Sequence, residues 1–125
     1  MIYVNKNTTN TLVLTLTEKS QIQAPSYLFK FVDDSTKTEK LFNMADTSPY
    51  ARRYNLFQLT ETPNENLSAG QVELNYGFGR YKVYESVNPT LFISGTTGRV
   101  LEEGIYFVPS YPASMNNNNS NTIYI

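Results

Sequence analysis

The stretch Leu74-Asn-Tyr-Gly-Phe-Gly-Arg-Tyr-Lys-Val-Tyr-Glu85 constrains the fold more than any other part of the chain. A leucine precedes two spaced glycines, Gly77 and Gly79. The chain then alternates, with Tyr81 and Val83 on one face and Arg80, Lys82 and Tyr84 on the other. Such alternation marks a half-buried β-strand, because successive side chains leave a strand on opposite faces. A leucine, a glycine bend and a tyrosine at the strand mouth also fit the tyrosine corner of Greek-key sandwiches. There the ring enters the core and the hydroxyl returns to backbone near the preceding bend. Tyr81 is the candidate for that role, with Gly77 and Gly79 shaping the bend. An ordinary hairpin with an amphipathic second strand is the plainer alternative.

The rest of the chain repeats the strand pattern. Leu12, Leu14 and Leu16 face one way, with Thr11, Thr15 and Thr17 opposite. Tyr27, Phe29 and Phe31 share a face while Leu28 and Val32 share the other, which predicts an inner strand. Leu41 to Ala45 follows, then Tyr54 to Glu61 with Phe57 and Leu59 inward, then Val72 and Leu74, then Leu91 to Ser94. Arg99 to Glu103 and Ile105 to Val108 are the last strand material, broken at Gly104. Turn-forming residues separate these runs: Pro25, the charged run Asp33 to Lys40, Pro63 to Gly70, Asn88-Pro89 and Gly95 to Gly98. Asp46-Thr-Ser-Pro49 resembles a helix cap and predicts one helical turn. The 125 residues suffice for one core. Roughly eight or nine short strands, spaced by about ten residues, predict an all-β chain. The expected fold is a single antiparallel Greek-key β-sandwich, Ig-like, over residues 1–108.

Residues 109–125 differ in character. Tyr111-Pro-Ala-Ser-Met115 leads into an Asn-rich run and ends in Thr122-Ile-Tyr-Ile125. A polar tether with an apolar, β-favouring end is the layout of an extended arm offered to another sheet edge. Tyr111, Met115, Ile123, Tyr124 and Ile125 are its candidate partner-binding residues. Return of the arm onto its own sheet as an edge strand is the competing placement.

Composition narrows the chemistry. Cysteine and histidine are absent, which removes disulfides, the usual zinc sites, thiol nucleophiles and the commonest general base. Ten basic and 11 acidic residues give a net charge of -1, without the basic excess of a nucleic-acid-binding surface. Asp33 and Asp34 lack the spacing of a calcium loop. Gly77-Phe-Gly79 lacks the third glycine and helix of a dinucleotide fingerprint. Glu102 and Glu103 are strand neighbours and point to opposite faces, so they do not flank one bond. Arg52-Arg53 beside Tyr54 reads as a solvated loop pair before it reads as a phosphate or carboxylate grip. The expectation is no catalytic residue, no metal and no cofactor. No leader peptide or membrane-spanning run is expected, and synthesis in a cytoplasm follows.

Several phrases resemble a family. The opening Met1-Ile-Tyr-Val-Asn-Lys-Asn7, Tyr27-Leu-Phe-Lys-Phe31 and Tyr50-Ala-Arg-Arg-Tyr-Asn-Leu-Phe57 look like small structural proteins of tailed phages of Bacteroidetes hosts, including crAss-like phages. Gly70-Gln-Val-Glu-Leu74, Tyr81-Lys-Val-Tyr-Glu85 and Leu101-Glu-Glu-Gly104 extend the likeness over about residues 1 to 108. The resemblance implies an Ig-like sandwich in the virion, as a capsid auxiliary, decoration or adaptor protein. Its partners would be other virion proteins, foremost the major capsid protein, or further copies of the same chain. It carries over no active-site residue. Two other classes stand beside it: a carbohydrate-binding or adhesive module using exposed Tyr or Phe, and an enzyme working with Asp, Glu, Tyr or Lys alone.

Overall fold

Inward-facing stripes decide the architecture. The strand Ser26–Asp33 turns Tyr27, Phe29 and Phe31 to one side, and the strand Asn55–Glu61 turns Phe57 and Leu59 to meet them. Phe29 and Phe57 stand edge to face with ring centroids 5.0 Å apart, and Tyr27 meets Phe57 likewise at 5.6 Å. Edge-to-face contact sets the positive rim of one ring on the negative face of the other. These two strands lie in different sheets, so the aromatic contact is the seam between layers.

The computed structural model describes residues 1–22, 26–50 and 52–109. Its strands are β1 (Ile2–Tyr3), β2 (Thr9–Leu14), β3 (Ser26–Asp33), β4 (Glu39–Asn43), β5 (Asn55–Glu61), β6 (Gln71–Val72), β7 (Gly77–Ser86) and β8 (Val100–Val108). A five-stranded sheet has the order β1-β8-β7-β3-β4, and a three-stranded sheet the order β2-β5-β6. One core cluster lies between them, drawing on residues from Ile2 to Val108. β3 is an inner strand, paired antiparallel with both β4 and β7, which is the position its two apolar faces predict.

Both sheets are mixed, not purely antiparallel as the strand pattern suggested. β1 pairs parallel with β8, and β6 pairs parallel with β5. Each of these strands has only two residues. β1 passes within a few residues to β2 in the opposite sheet, so it does not form a hairpin with a neighbour.

Two local expectations fail for identifiable reasons, and a third is met in part. Asp46 precedes a single hydrogen-bonded turn, closed by the Arg53 and Tyr54 N–H groups on Tyr50 O at 2.8 and 3.1 Å. The Asp46 carboxylate accepts from Ser48 N–H at 2.9 Å, Leu56 N–H at 3.0 Å and the Asn55 amide at 2.7 Å, so it fixes a turn against β5. Leu91 to Ser94 is not a strand; a 3-10 turn forms at Ile93–Gly95. Gly104 does not break the last strand, because β8 runs through it. Gly104 pairs with Tyr81, and a Cβ there would stand 2.9 Å from the Tyr81 ring. Two positions along, Gly79 pairs with Tyr106, and its Cβ would stand 2.3 Å from that ring. Each tyrosine thus lies across the glycine of the neighbouring strand, and the rings supply the packing that the glycines lack.

Candidate contact surface

The outer face of the five-stranded sheet has two halves. At one end Leu28 and Tyr84, paired across β3 and β7, are buried although they lie outside the core cluster. The segment after β7 is tied to this end: Thr97 N–H donates to Glu85 O at 3.0 Å, and the Asn43 amide donates to Thr90 O at 3.0 Å. At the other end the face is open. Tyr3 pairs with Phe107, and Phe107 with Phe78, so three aromatic residues form one row across β1, β8 and β7. Phe78 and Phe107 have centroids 4.4 Å apart, and Tyr3 meets Phe107 edge-on at 6.1 Å. Tyr3 is 63% exposed and Phe78 51%, with Ile105 beside them at 42%.

Buried acids fix the sheet ends behind this surface. Glu61, on the inward side of β5, accepts from Lys6 Nζ at 3.0 Å, Asn7 N–H at 2.9 Å and Leu74 N–H at 3.0 Å. Glu85 accepts from the Ser20 hydroxyl at 2.7 Å, Gln21 N–H at 3.2 Å and the Arg99 guanidinium. Asn55 holds Leu16 N–H at 2.7 Å and Thr17 N–H at 3.2 Å on its carbonyl oxygen. A buried carboxylate left unpaired is costly, and these have satisfied partners.

Asp33 is the third buried acid. The Asn75 amide donates to it at 2.8 Å and holds its carboxyl down to about 2, burial opposing and the Ser35 N–H and hydroxyl adding to the effect. Burial pushes the Tyr106 hydroxyl up to about 12, with Asp33 and Asp34 adding to the shift. Burial and the bond to Glu102 raise Tyr81 further. In all three the shift reinforces the protonation state the group already has at neutral pH.

The residues singled out in the sequence fall out as follows. Tyr81 is buried, as the corner reading requires, but its hydroxyl donates to Glu102 Oε2 at 3.0 Å and not to backbone. The reason is Gly104, over which the ring extends onto β8. Gly77 opens β7 at φ 109, a conformation that suits glycine. Asp33 is buried rather than solvated, whereas Asp34 is exposed. Among the described residues no group of acids is arranged to hold a metal ion. Tyr111, Met115, Ile123, Tyr124 and Ile125 lie outside the described residues. The Tyr3–Phe107–Phe78 row was not anticipated. Its signal was present in the outward parity of Phe78 and Phe107, but alignment across three strands depends on register.

No protein-family profile, curated protein sequence or solved structure matches this chain significantly.

Proposed function

We propose that this chain is a structural protein of a phage virion, a capsid auxiliary, decoration or adaptor protein that acts through protein–protein contacts. In this reading its two-sheet domain follows an Ig-like Greek-key plan, and the major capsid protein is the principal partner. The observation that carries a binding role is the aromatic row of Tyr3, Phe107 and Phe78, set on three paired strands. Aromatic side chains are enriched at interface centres because they offer large area at small entropic cost. Strand backbone holds these rings in place before the partner arrives, which lowers the ordering cost of association. The sequence likeness to small phage structural proteins supplies the setting.

The same exposed row favours one other reading, a sugar platform in a carbohydrate-binding or adhesive module. The two readings separate experimentally. Mass spectrometry of purified phage particles should find the protein in stoichiometric copies, and Phe78→Ser should lower its incorporation while leaving its melting temperature within a few degrees. Absence from particles, together with glycan-array binding lost in Phe78→Ser, would replace the virion reading with the carbohydrate one.

A further inference from the structure

A second candidate site lies away from the aromatic row, between the β3–β4 hairpin and the residues that follow β6. It is a pocket of about 150 Å³, room for about five water molecules at roughly 30 Å³ each. Tyr106 forms one wall and is only 2% exposed. Its ring tip lies over Gly79, the residue paired with Asp33, so the missing side chain at Gly79 lets the hydroxyl reach the Asp33 side of the sheet. That hydroxyl has no hydrogen-bond partner among the described residues. Buried polar groups are rarely left so.

The other walls point to the charge of the missing partner. Asp33 and Glu73 bring two carboxylates, and Thr38 adds a hydroxyl. The one cation, Lys40, is already held by Glu65 at 2.7 Å. Asp33 takes donors from Asn75 on Oδ2 and from Ser35 on Oδ1, with the Thr36 hydroxyl also close, and all of these donors are neutral, so its charge is not met by a cation. Leu74 supplies an apolar wall. An anion would meet two carboxylates here, and a neutral donor would leave their charge uncompensated. A donor-rich cation suits the oxygens of Asp33, Glu73, Thr38 and Tyr106, while the Lys40 ammonium is engaged by Glu65.

We propose that this pocket receives one cationic side chain, the ammonium of a lysine or the guanidinium of an arginine, presented by the protein partner. The proposal rests on the reading of the chain as a contact protein and specifies what that partner must offer. Phe78 and its row provide area, and the pocket provides a charge-selective anchor.

The test is an NMR titration of the intact protein with N-acetyl-lysine methylamide and N-acetyl-arginine methylamide. N-acetyl-norleucine methylamide serves as the uncharged control and pentylamine as a free amine. Saturable shifts at the Asn75 side-chain amide and at Ser35 are expected, absent with norleucine. Binding should weaken at least fivefold in both Glu73→Gln and Tyr106→Phe, with melting curves confirming that each variant is folded. Equal binding of norleucine, no saturable shift, or unchanged affinity in both variants overturns the proposal. A tenfold preference for pentylamine over the capped amino acids overturns the side-chain source in favour of a small free amine. The wider reading fails on different data: a protein that binds the lysine probe but is missing from particles sinks the virion setting and keeps the pocket, and the reverse pattern sinks the pocket alone.

Discussion

At the scale of single residues, chemistry that looks functional turns out to hold the domain together. Asp33 is the clearest case. Its carboxyl is lowered from 3.8 to about 2, chiefly by the Asn75 amide. A group whose folded value lies below its unfolded one contributes stability above the unfolded value and loses it as pH falls through the folded one. The window is therefore pH 4 down to 2. Asn75→Ala should raise the Asp33 titration midpoint by NMR and reduce the loss of stability across that window. An unchanged midpoint would mean that Asn75 is not the cause. Tyr81 tests the core in the same spirit. Tyr81→Ala should cost about 3–5 kcal/mol, the range for deleting a large buried aromatic. Tyr81→Phe removes only the bond to Glu102 and should cost about 1–2 kcal/mol. A variant Tyr81→Ala that melts like the parent would remove Tyr81 from the core.

At the scale of elements, the inner strands were legible and their ends were not. Alternation located β3, β5 and β7 closely, because each buries a stripe of large side chains on one face. Followed one step further, the same parity places Asp33 after Phe31, Glu61 after Leu59 and Glu85 after Val83, all inward. An acid at the end of an inward stripe looks solvated in a sequence, since its partners come from distant segments: Asn75, Lys6 and Arg99. β1 and β6 were illegible as parallel edge strands because two residues carry no period. Gly104 misled for another reason. A glycine within a strand pattern commonly signals a bulge or close approach, and here the close approach is the Tyr81 ring. The paired glycines give a graded prediction. Gly79→Ala forces a methyl group onto the Tyr106 ring at 2.3 Å and Gly104→Ala onto Tyr81 at 2.9 Å. Overpacking of this kind costs about 1–3 kcal/mol, with Gly79 at the upper end. Denaturant unfolding of the two variants measures the order, and a reversed order would show that the Tyr106 ring swings away more easily than Tyr81.

At the scale of the whole molecule, a two-sheet domain carries the exposed Tyr3–Phe107–Phe78 row on one outer face. Among the described residues the core cluster draws on Ile2 through Val108. Seventeen residues follow Val108, and a fully extended stretch of that length would span at most roughly 55 Å at about 3.3 Å per residue, beyond the half-width of a domain this size. β8 ends at Val108, next to the Tyr3–Phe107–Phe78 row, so an arm leaving there starts beside the open half of the sheet face. We propose that Thr122-Ile-Tyr-Ile125 pairs with a neighbouring chain of the particle, burying either Ile123 and Ile125 or Tyr124. A strand turns only one of those sets inward. A truncation ending at Ser110 should keep the melting temperature of the full chain and reduce incorporation into particles. On this proposal the arm and the aromatic row make separate contacts, and combining the truncation with Phe78→Ser should lower incorporation beyond either change alone. If the truncated chain fails to fold, the arm belongs to the domain. If it incorporates at the normal level, assembly rests on the sheet face, and the arm has no part in it.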